Sequence, residues 1–478
     1  MDVFVIILQA VVVLGAIVMG VRTGGIGLGL WGVVGTAILV FGFRLPPGSP
    51  PIDAFFIIIA VITASSAMQA AGGIDYLVSI ASKIIQRNPK RLTYVAPLVA
   101  FVFTVLSGTS NIFFALIPVI NETAYRNGQR PERSLAASTV TSGLGITASP
   151  VSAAMAAYLV LMDGTGYGLP QILLITIPAA IVACLVTSFV QQRIGKDLLD
   201  DPKYIKRVEE GVVEVPTALR AKYEAKYGAL PGSTTTATAT AVADGGAASG
   251  KPVAIEHPVP AGGQTAALIF IAGTLLVVIL GLFPGLRPAF PNDEGELVSI
   301  SMAIIIEMVM FTAALAIILV RRVKPSLVVE QPLLRAGFVA AVALFGIAWM
   351  ADTFISANQE TIIEPLGQLI EQQPLWLAIA IFIVAGLTTS QSATTNTLIP
   401  IALASGLAPG VITAMWPSLI GVWLFPANGS QIASVETDLT GSTKLTQIPV
   451  WHSFTIPMLV SWVSVVLAGL LIQLAVPV

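Results

Sequence analysis

The sequence predicts an all-α polytopic membrane protein made of two inverted-topology repeats, each with about five spans plus a re-entrant hairpin. Three observations carry this. First, 55% of the 478 residues are hydrophobic and only 10% are charged, more apolar sequence than a soluble core requires. Second, one fingerprint occurs twice. Met68-Gln69-Ala70, Asn88-Pro89, Ser107 to Asn111 and Leu116-Ile117-Pro118 are matched by Met350-Ala351-Asp352, Gln373-Pro374, Thr388 to Thr397 and Leu398-Ile399-Pro400, and each copy spans 50 positions from Met to Pro. Duplicated halves with polar breaks at corresponding places mark secondary transporters. Third, basic residues segregate to one side. If the loop 194–264 is cytoplasmic and 91–126 and 375–405 are hairpins, then only Arg44 and Arg287 of the 24 Lys and Arg fall outside. That asymmetry satisfies the positive-inside rule, and plain spans at the hairpin positions would put several basic loops outside.

The elements follow in order. Apolar runs long enough to cross a bilayer as helix place spans near 3–21, 26–43, 52–72, 134–162 and 170–193 in an N-terminal membrane repeat, residues 1–193. The run Val3 to Val21 lacks a basic n-region and a small-residue cleavage site, and Arg22 follows it, so it is not a cleaved signal peptide. The loop 194–264 opens with a charged stretch, Lys196 to Lys226, suited to short helices. It continues as Pro231 to Gln264, rich in Thr, Ala, Gly and Pro, a composition that reads as a flexible tether. The C-terminal repeat, 265–478, has spans near 266–286, 297–320, 333–357, 411–435 and 451–476. Both termini are expected outside the cytoplasm. The first hairpin enters from the cytoplasm and the second from the opposite side.

The chemistry is expected at the helix breaks. Ser107, Gly108, Thr109, Ser110 and Asn111 form the first hairpin tip, and Thr388 to Thr397 form the second, with Thr389, Ser390, Gln391, Ser392, Thr395 and Asn396 as the candidate ligands. A helix interrupted in lipid needs its freed backbone groups satisfied by protein, water or substrate. Its N-terminus offers free N–H groups and a partial positive charge, and hydroxyls and amides add neutral donors. This suits a carboxylate. Ser and Thr can also merely satisfy local backbone or join helices, but two tips at repeat-equivalent positions favour a binding site. A second pair of breaks, Thr147-Ala148-Ser149-Pro150 and Pro426 to Ser430, is expected to face the tips through Thr147, Ser149, Asn428 and Ser430. Proline and glycine at membrane depth favour unwound segments there, with simple proline kinks as the alternative.

Intramembrane acids are few. Asp352 and Glu307 are candidates for a coupling proton, although Asp352, near the end of its span, equally suits helix capping. Glu122 lies within i+4 reach of Arg126 and is expected to pair with it. No Lys or Arg is expected deep in a span, so a dianion would rely on dipoles and neutral donors. Cys184 is the sole cysteine, so there is no intrachain disulfide. The sequence has no Walker loop, Gly-x-Ser-x-Gly elbow, metal motif or pair of catalytic acids, and no basic stripe for nucleic acid. No cofactor and no enzymatic activity are expected. A channel lined by polar tips, or a membrane sensor with the 194–264 loop as output, are the competing classes.

Several strings then point to a family. They include Ser66 to Val78 (SAMQAAGGIDYLV), Arg87-Asn88-Pro89-Lys90, Ser107 to Asn111, Ile146 to Ala154 (ITASPVSAA), Asp200-Asp201-Pro202, Asp352-Thr353-Phe354 and Ser390 to Thr394. Together they resemble the anaerobic four-carbon dicarboxylate transporter family, the DcuA/DcuB group, over nearly both halves. The resemblance implies carriage of fumarate, succinate, malate and aspartate, often as exchange, in a bacterial inner membrane. A carrier for another small organic anion is the alternative. By wider analogy the chain is similar to the ion transporter superfamily, with a scaffold, a moving transport domain and hairpin-tip sites. That analogy implies a homodimer through spans 3–21, 26–43, 266–286 and 297–320, and leaves the coupling ion open between a proton and sodium.

Overall fold

A computed structural model of the chain describes residues 3–23, 26–110, 112–228, 262–291, 296–358, 375–425, 428–445 and 450–476. The Asn111 ligand, the Gln373-Pro374 repeat element, Pro426-Ala427 and most of the Pro231 to Gln264 tether lie outside the described residues. The described chain is almost wholly helical. Among the described residues, six helices are long and apolar enough to cross a membrane: Pro89–Ser107, Leu169–Gln191, Gly263–Gly281, Met302–Arg321, Pro332–Phe354 and Thr455–Ala475. Apolar side chains cover their outer faces, among them Leu275, Met308, Leu315 and Leu471, a surface suited to lipid and not to water.

The first half comprises α1 (Val3–Thr23), α2 (Gly27–Ala37, continued by a π-turn to Gly42), α3 (Ile52–Ala70), α4 (Gly73–Arg87), α5 (Leu92–Ser107), α6 (Ile112–Arg126), α7 (Pro131–Thr147), α8 (Ala153–Leu161) and α9 (Leu169–Gln191). The connecting loop holds α10 (Pro202–Glu209) and α11 (Thr217–Tyr227). The second half comprises α12 (Gly263–Leu282), α13 (Met302–Arg321), α14 (Pro325–Val329), α15 (Pro332–Ala357), α16 (Leu375–Thr388), α17 (Gln391–Ala404), α18 (Pro409–Met415), α19 (Gly429–Thr437) and α20 (Thr455–Ile472). The two expected hairpins are therefore the pairs α5–α6 and α16–α17, each broken at its polar tip. The expected span 134–162 is α7 and α8, separated at Ala148 to Ser152.

Two expected spans need correction, and one helix was not among the expected elements. The segment after the span 52–72 is itself a helix, α4. At Gly72, with φ +78°, α3 bends by 73° into α4. Leu77, Ala81 and Ile85 of α4 are buried while Lys83, Ile84 and Arg87 are exposed, a one-sided pattern too mixed to register as an apolar run. The expected span 297–320 begins only at Met302. Leu297–Ser299 is instead β2, paired antiparallel with β1 (Ala289–Pro291), in keeping with its β-branched Val298 and the absence of a helical cap before Ser301. The expected span 411–435 is broken earlier than its proline-glycine motif suggests. It tightens to a 3₁₀-helix over Trp416–Trp423, where Pro417 removes a backbone donor.

The helices pack as two bodies. One holds α1–α4 and α12–α15, with α2 against α15 and α13 against α3. The other holds α5–α9 and α16–α20, with α5 against α7, α9 against α20 and α16 against the Trp416–Trp423 turn. They meet mainly where α17 touches α15, where α8 touches α3, and where α4 lies along α5 and α6. Within the first body, α2 and α15 approach so closely that a Cβ on Gly346 would lie 1.8 Å from the Gly29 carbonyl oxygen. Small residues at such a crossing let backbones pack without lipid between them.

The loop forms its own small core. Leu198, Tyr204, Ile205, Val208, Leu219 and Tyr223 are buried together, with Tyr125 of α6 packed on them. The expected short helices are thus present and docked. A buried ionic knot fixes them to the second body. Arg130 donates from Nε to Glu132 (2.6 Å) and from Nη1 to Asp201 (2.6 Å) and the Lys196 carbonyl (3.1 Å), and Glu132 accepts from Ser453 (2.5 Å). The expected Glu122–Arg126 pair is present as well. Burial by itself would raise the Asp201 carboxyl, but hydrogen bonds from Arg130 and the Lys203 backbone and the Arg130 charge outweigh it and hold the group below the ordinary aspartate range. A depressed carboxylate adds stability that is present above its unfolded value and lost as pH falls through the folded one. Asp201→Asn should therefore cost about 1.5–3 kcal/mol at neutral pH. Melting of both proteins across acid pH should show the gap closing as the wild-type carboxylate protonates. A gap independent of pH would contradict the assignment.

Candidate functional site

The site is built from helix ends. Helix α5 stops at Ser107 because Gly108 takes φ +70°, a conformation suited to glycine. A Cβ there would also lie 2.5 Å from the Val151 carbonyl oxygen, so the first tip rests against the α7–α8 break. Helix α16 stops at Thr388, and Thr389 takes φ +50°, uncommon for a β-branched residue and often a mark of function. Ser390 then caps α17 by accepting from the Ala393 N–H (3.3 Å). Ser152 caps α8 (Met155 N–H, 3.0 Å) and Asn428 caps α19 (Ser430 N–H, 3.2 Å).

These ends meet around one cavity of about 260 Å³, lined by both tips, by Ala153 and Ala154 at the start of α8, and by Asn428 at the start of α19. Four helix N-termini, of α6, α8, α17 and α19, thus border one space. No Lys, Arg, Asp or Glu is among the lining residues that the structure describes. The first body closes the cavity with Val61, Ile62 and Ser65 of α3 and Leu333 and Gly337 of α15. Hydrogen bonds hold the second-body parts in register. Gln391 Nε2 donates to the Gly143 carbonyl (3.1 Å), Ser149 Oγ to the Val105 carbonyl (2.8 Å), and Thr139 pairs with Ser434 (3.0 Å). The volume suits a small molecule, being below the usual range for drug-sized ligands.

Of the residues singled out from sequence, Ser107, Gly108, Thr109, Ser110, Thr389, Ser390, Gln391, Ser392 and Asn428 line the cavity. Thr147, Ser149, Thr395, Asn396 and Ser430 do not. Thr147 bonds the Leu144 carbonyl (3.0 Å), Thr395 bonds Gln391 and accepts from Trp416 (2.9 Å), and Ser430 bonds Asn428 (3.0 Å). Asn396 is fully buried, and neither of its amide atoms has a hydrogen-bond partner among the described residues. Asp352 lies outside the cavity and braces a loop. It accepts from the Ser49 N–H (2.7 Å) and Ser356 (3.3 Å), a loop backbone and its own helix and not a helix end, while neighbouring Thr353 accepts from the Gly48 N–H (3.0 Å). Glu307, half-buried on α13, is likewise not among the lining residues. Sequence reasoning missed Ser65, Gly143 and Trp423 as lining residues. Ser65 could have been found from the Ser65-Ser66 pair beside the Met68-Gln69-Ala70 motif. Trp423 gave no signal, because a tryptophan in an apolar run reads as core.

An apolar helical body with a small polar cavity at converging helix breaks is an architecture suited to a membrane transporter. Solved structures agree on the fold. The chain is similar to Neisseria gonorrhoeae MtrF, described with a class of antimetabolite efflux pumps (TM-score 0.53, 11% identity, covering 93% of this chain and 92% of that one). It is also similar to the Alcanivorax borkumensis YdaH transporter, described as having an unusual topology (TM-score 0.51, 13% identity, 94% and 96%). At these identities the likeness shows the fold alone. Sequence relatives are more specific. DcuB, an anaerobic C4-dicarboxylate transporter of Escherichia coli O157:H7, is 33% identical over 458 residues. The C4-dicarboxylate transporters DcuA of Escherichia coli K12 and of Wolinella succinogenes are 34% and 33% identical over 453 and 452 residues. Each match covers 95% of both chains. The model of the anaerobic C4-dicarboxylate membrane transporter family matches residues 5–476, and the chain belongs to that family.

The tip geometry yields a direct test. Gly108→Ala would force a side chain into the left-handed region and against Val151, a strain of about 1–3 kcal/mol. We expect a lower melting temperature in detergent, whereas Gly164→Ala, where φ is +74° but space is open, should cost less. Equal losses would mean that packing on Val151 does not matter.

Proposed function

We propose that this protein carries four-carbon dicarboxylates (fumarate, succinate, malate and aspartate) across the bacterial inner membrane by alternating access, as an exchanger. The single observation that supports the reading best is the convergence of four helix N-termini and two hydroxyl-rich tips on a cavity with no charged lining residue among the described residues. One carboxylate would accept from the first tip, through Ser107, Thr109 and Ser110, and the other from Thr389, Ser390 and Ser392, with Asn428 beside them. Thr147, Ser149, Thr395, Asn396 and Ser430 would act one layer behind, by holding the tips. Helix N-termini stabilise anions by aligned dipoles and free N–H groups, strongly so where water is scarce.

The two bodies give the motion a physical form. On this reading the halves 1–193 and 265–478 are inverted repeats joined by a cytoplasmic 194–264 loop, with both termini outside. The second body carries both tips and would move as a unit past the first. The first body comprises the spans 3–21, 26–43, 266–286 and 297–320 expected as scaffold, joined by α3, α4 and α15, and we place a homodimer contact there. Asp352, fastened to the 48–49 loop, fits a brace in that scaffold better than a proton carrier. Glu307 stays a candidate for proton coupling, with sodium the alternative.

Counterflow tests the function. In proteoliposomes preloaded with succinate, uptake of labelled fumarate should be accelerated. A channel would show flux without this trans-stimulation, and a sensor would show no flux. The site assignment has its own measurement. Removing one donor from a buried charged acceptor costs about 1–3 kcal/mol, roughly tenfold or more in affinity. Ser110→Ala with Ser392→Ala should therefore raise the KM for fumarate at least that much at equal expression. An unchanged KM would remove the tips from the site.

A further inference from the structure

A second cavity, of about 340 Å³, lies away from the anion cavity, between the scaffold helices α1 and α15 and the second hairpin. Its walls include Leu14 and Ile17 of α1, Met350 and Phe354 of α15, and Leu398 and Ile401 of α17. The two hydroxyls in the lining are spent on their own helix. Thr397 donates to the Ala393 carbonyl (2.8 Å) and Ser405 to the Ala402 carbonyl (2.7 Å). Water entering here would find almost nothing to bond, and cavities of this kind take up hydrocarbon instead.

We propose that an acyl chain of a membrane lipid occupies this cavity. The cavity continues into the apolar outer surface of the protein. Leu14, one of its walls, is 62% exposed, and it stands in a row of exposed apolar residues on α1 with Ile7, Val11 and Val18. On the other side Val384 lines the cavity while Ile383 and Leu387 of α16 face outward. The α1 rim falls on the body where the homodimer contact is placed, whereas the α16 rim belongs to the second body and is left to lipid tails in a bilayer, and a tail needs no desolvation to enter there. The location gives the chain a role. Its walls belong to both bodies, beside the α15–α17 contact, so an occupied cavity fills the seam along which the second hairpin would shift. The binding claim stands on the cavity alone and does not depend on which anion is carried.

The test uses the full-length protein in proteoliposomes containing phosphatidylethanolamine with a diazirine in mid-chain. Photolysis should label peptides from 391–404 and 10–17 above the level on the lipid-facing peptide around Leu471. Ala404→Phe and Ala10→Phe fill the cavity from opposite walls, and each should lower that labelling several-fold. Thr397→Val, which keeps the volume, should leave it unchanged. The two filling variants are independent, so a folding failure in one leaves the other readable, and counterflow by each reports that the carrier is intact. Labelling no higher than at Leu471, or unaffected by a folded filling variant, would overturn the proposal. Efficient disulfide dimerisation of a Leu14→Cys variant with loss of cavity labelling would overturn it too, by assigning the opening to a second copy of the chain.

Discussion

On the proposed reading, the constraint on which the rest of this architecture depends is the cost of holding an anion inside a bilayer without a buried cation. A lysine or arginine at that depth is expensive and must itself be paired. Broken helices avoid this. Each break leaves several backbone N–H groups unbonded at the start of the next helix, and a backbone donor cannot be deprotonated or left as a bare charge. The breaks at Gly108, at Ala148 to Ser152, at Thr389 and before Gly429 direct four such starts at one cavity. Breaks are tolerable in lipid only where protein or a cavity covers them, and here the tips are covered by α3 and α15 on one side and by α7 on the other.

That arrangement sets the packing around it. The cavity is closed where the two bodies meet, and the small residues sit where backbones must approach: Gly29 and Gly346 inside the first body, Gly108 against Val151 and Gly143 beside Trp423 in the second. Interactions within the second body are polar and numerous, from Gln391 on Gly143 to the Arg130 knot that ties the loop helices and residue Ser453 together. The tips are therefore held to each other more firmly than to α3 and α15, which meet the cavity mainly through Val61, Ile62, Leu333 and Gly337.

Much of this was legible in the sequence, and the reasons are physical. Bilayer-length apolar runs and polar interruptions are strong signals because lipid tolerates few exceptions. The spans and both tips could therefore be placed from residues such as Ser107 to Ser110 and Thr389 to Ser392. Helix α4 was not legible as an element, since one buried face amid charged residues gives no run. The loop core was not either, because Leu198, Tyr204 and Leu219 meet only through tertiary packing. At the site, sequence gives the breaks but not their direction. Thr147, Ser149, Thr395 and Asn396 have the same chemistry as the lining residues, yet they turn away to bond helix carbonyls or sit buried behind the tips. Which hydroxyl faces the cavity is decided by where each falls around its helix relative to neighbours far off in the chain, as Ser149 does against Val105.

The same constraint bears on why such a carrier would exchange and not simply release. With the cavity unoccupied, four positive helix ends and two hydroxyl clusters face one another with no negative charge between them. In a low-dielectric site this mutual repulsion is strong, and it weakens when a dicarboxylate bridges the tips. Crossing the membrane with the site filled then involves less electrostatic strain than crossing with it empty. A site lined by Arg or Lys would add the cost of burying those cations whenever the anion leaves. Neutral donors and helix dipoles, each worth about 0.3–2 kcal/mol, give an affinity that loads and unloads while still discouraging the empty transit. On the proposed reading, exchange is thus a consequence of building an anion site from helix ends alone.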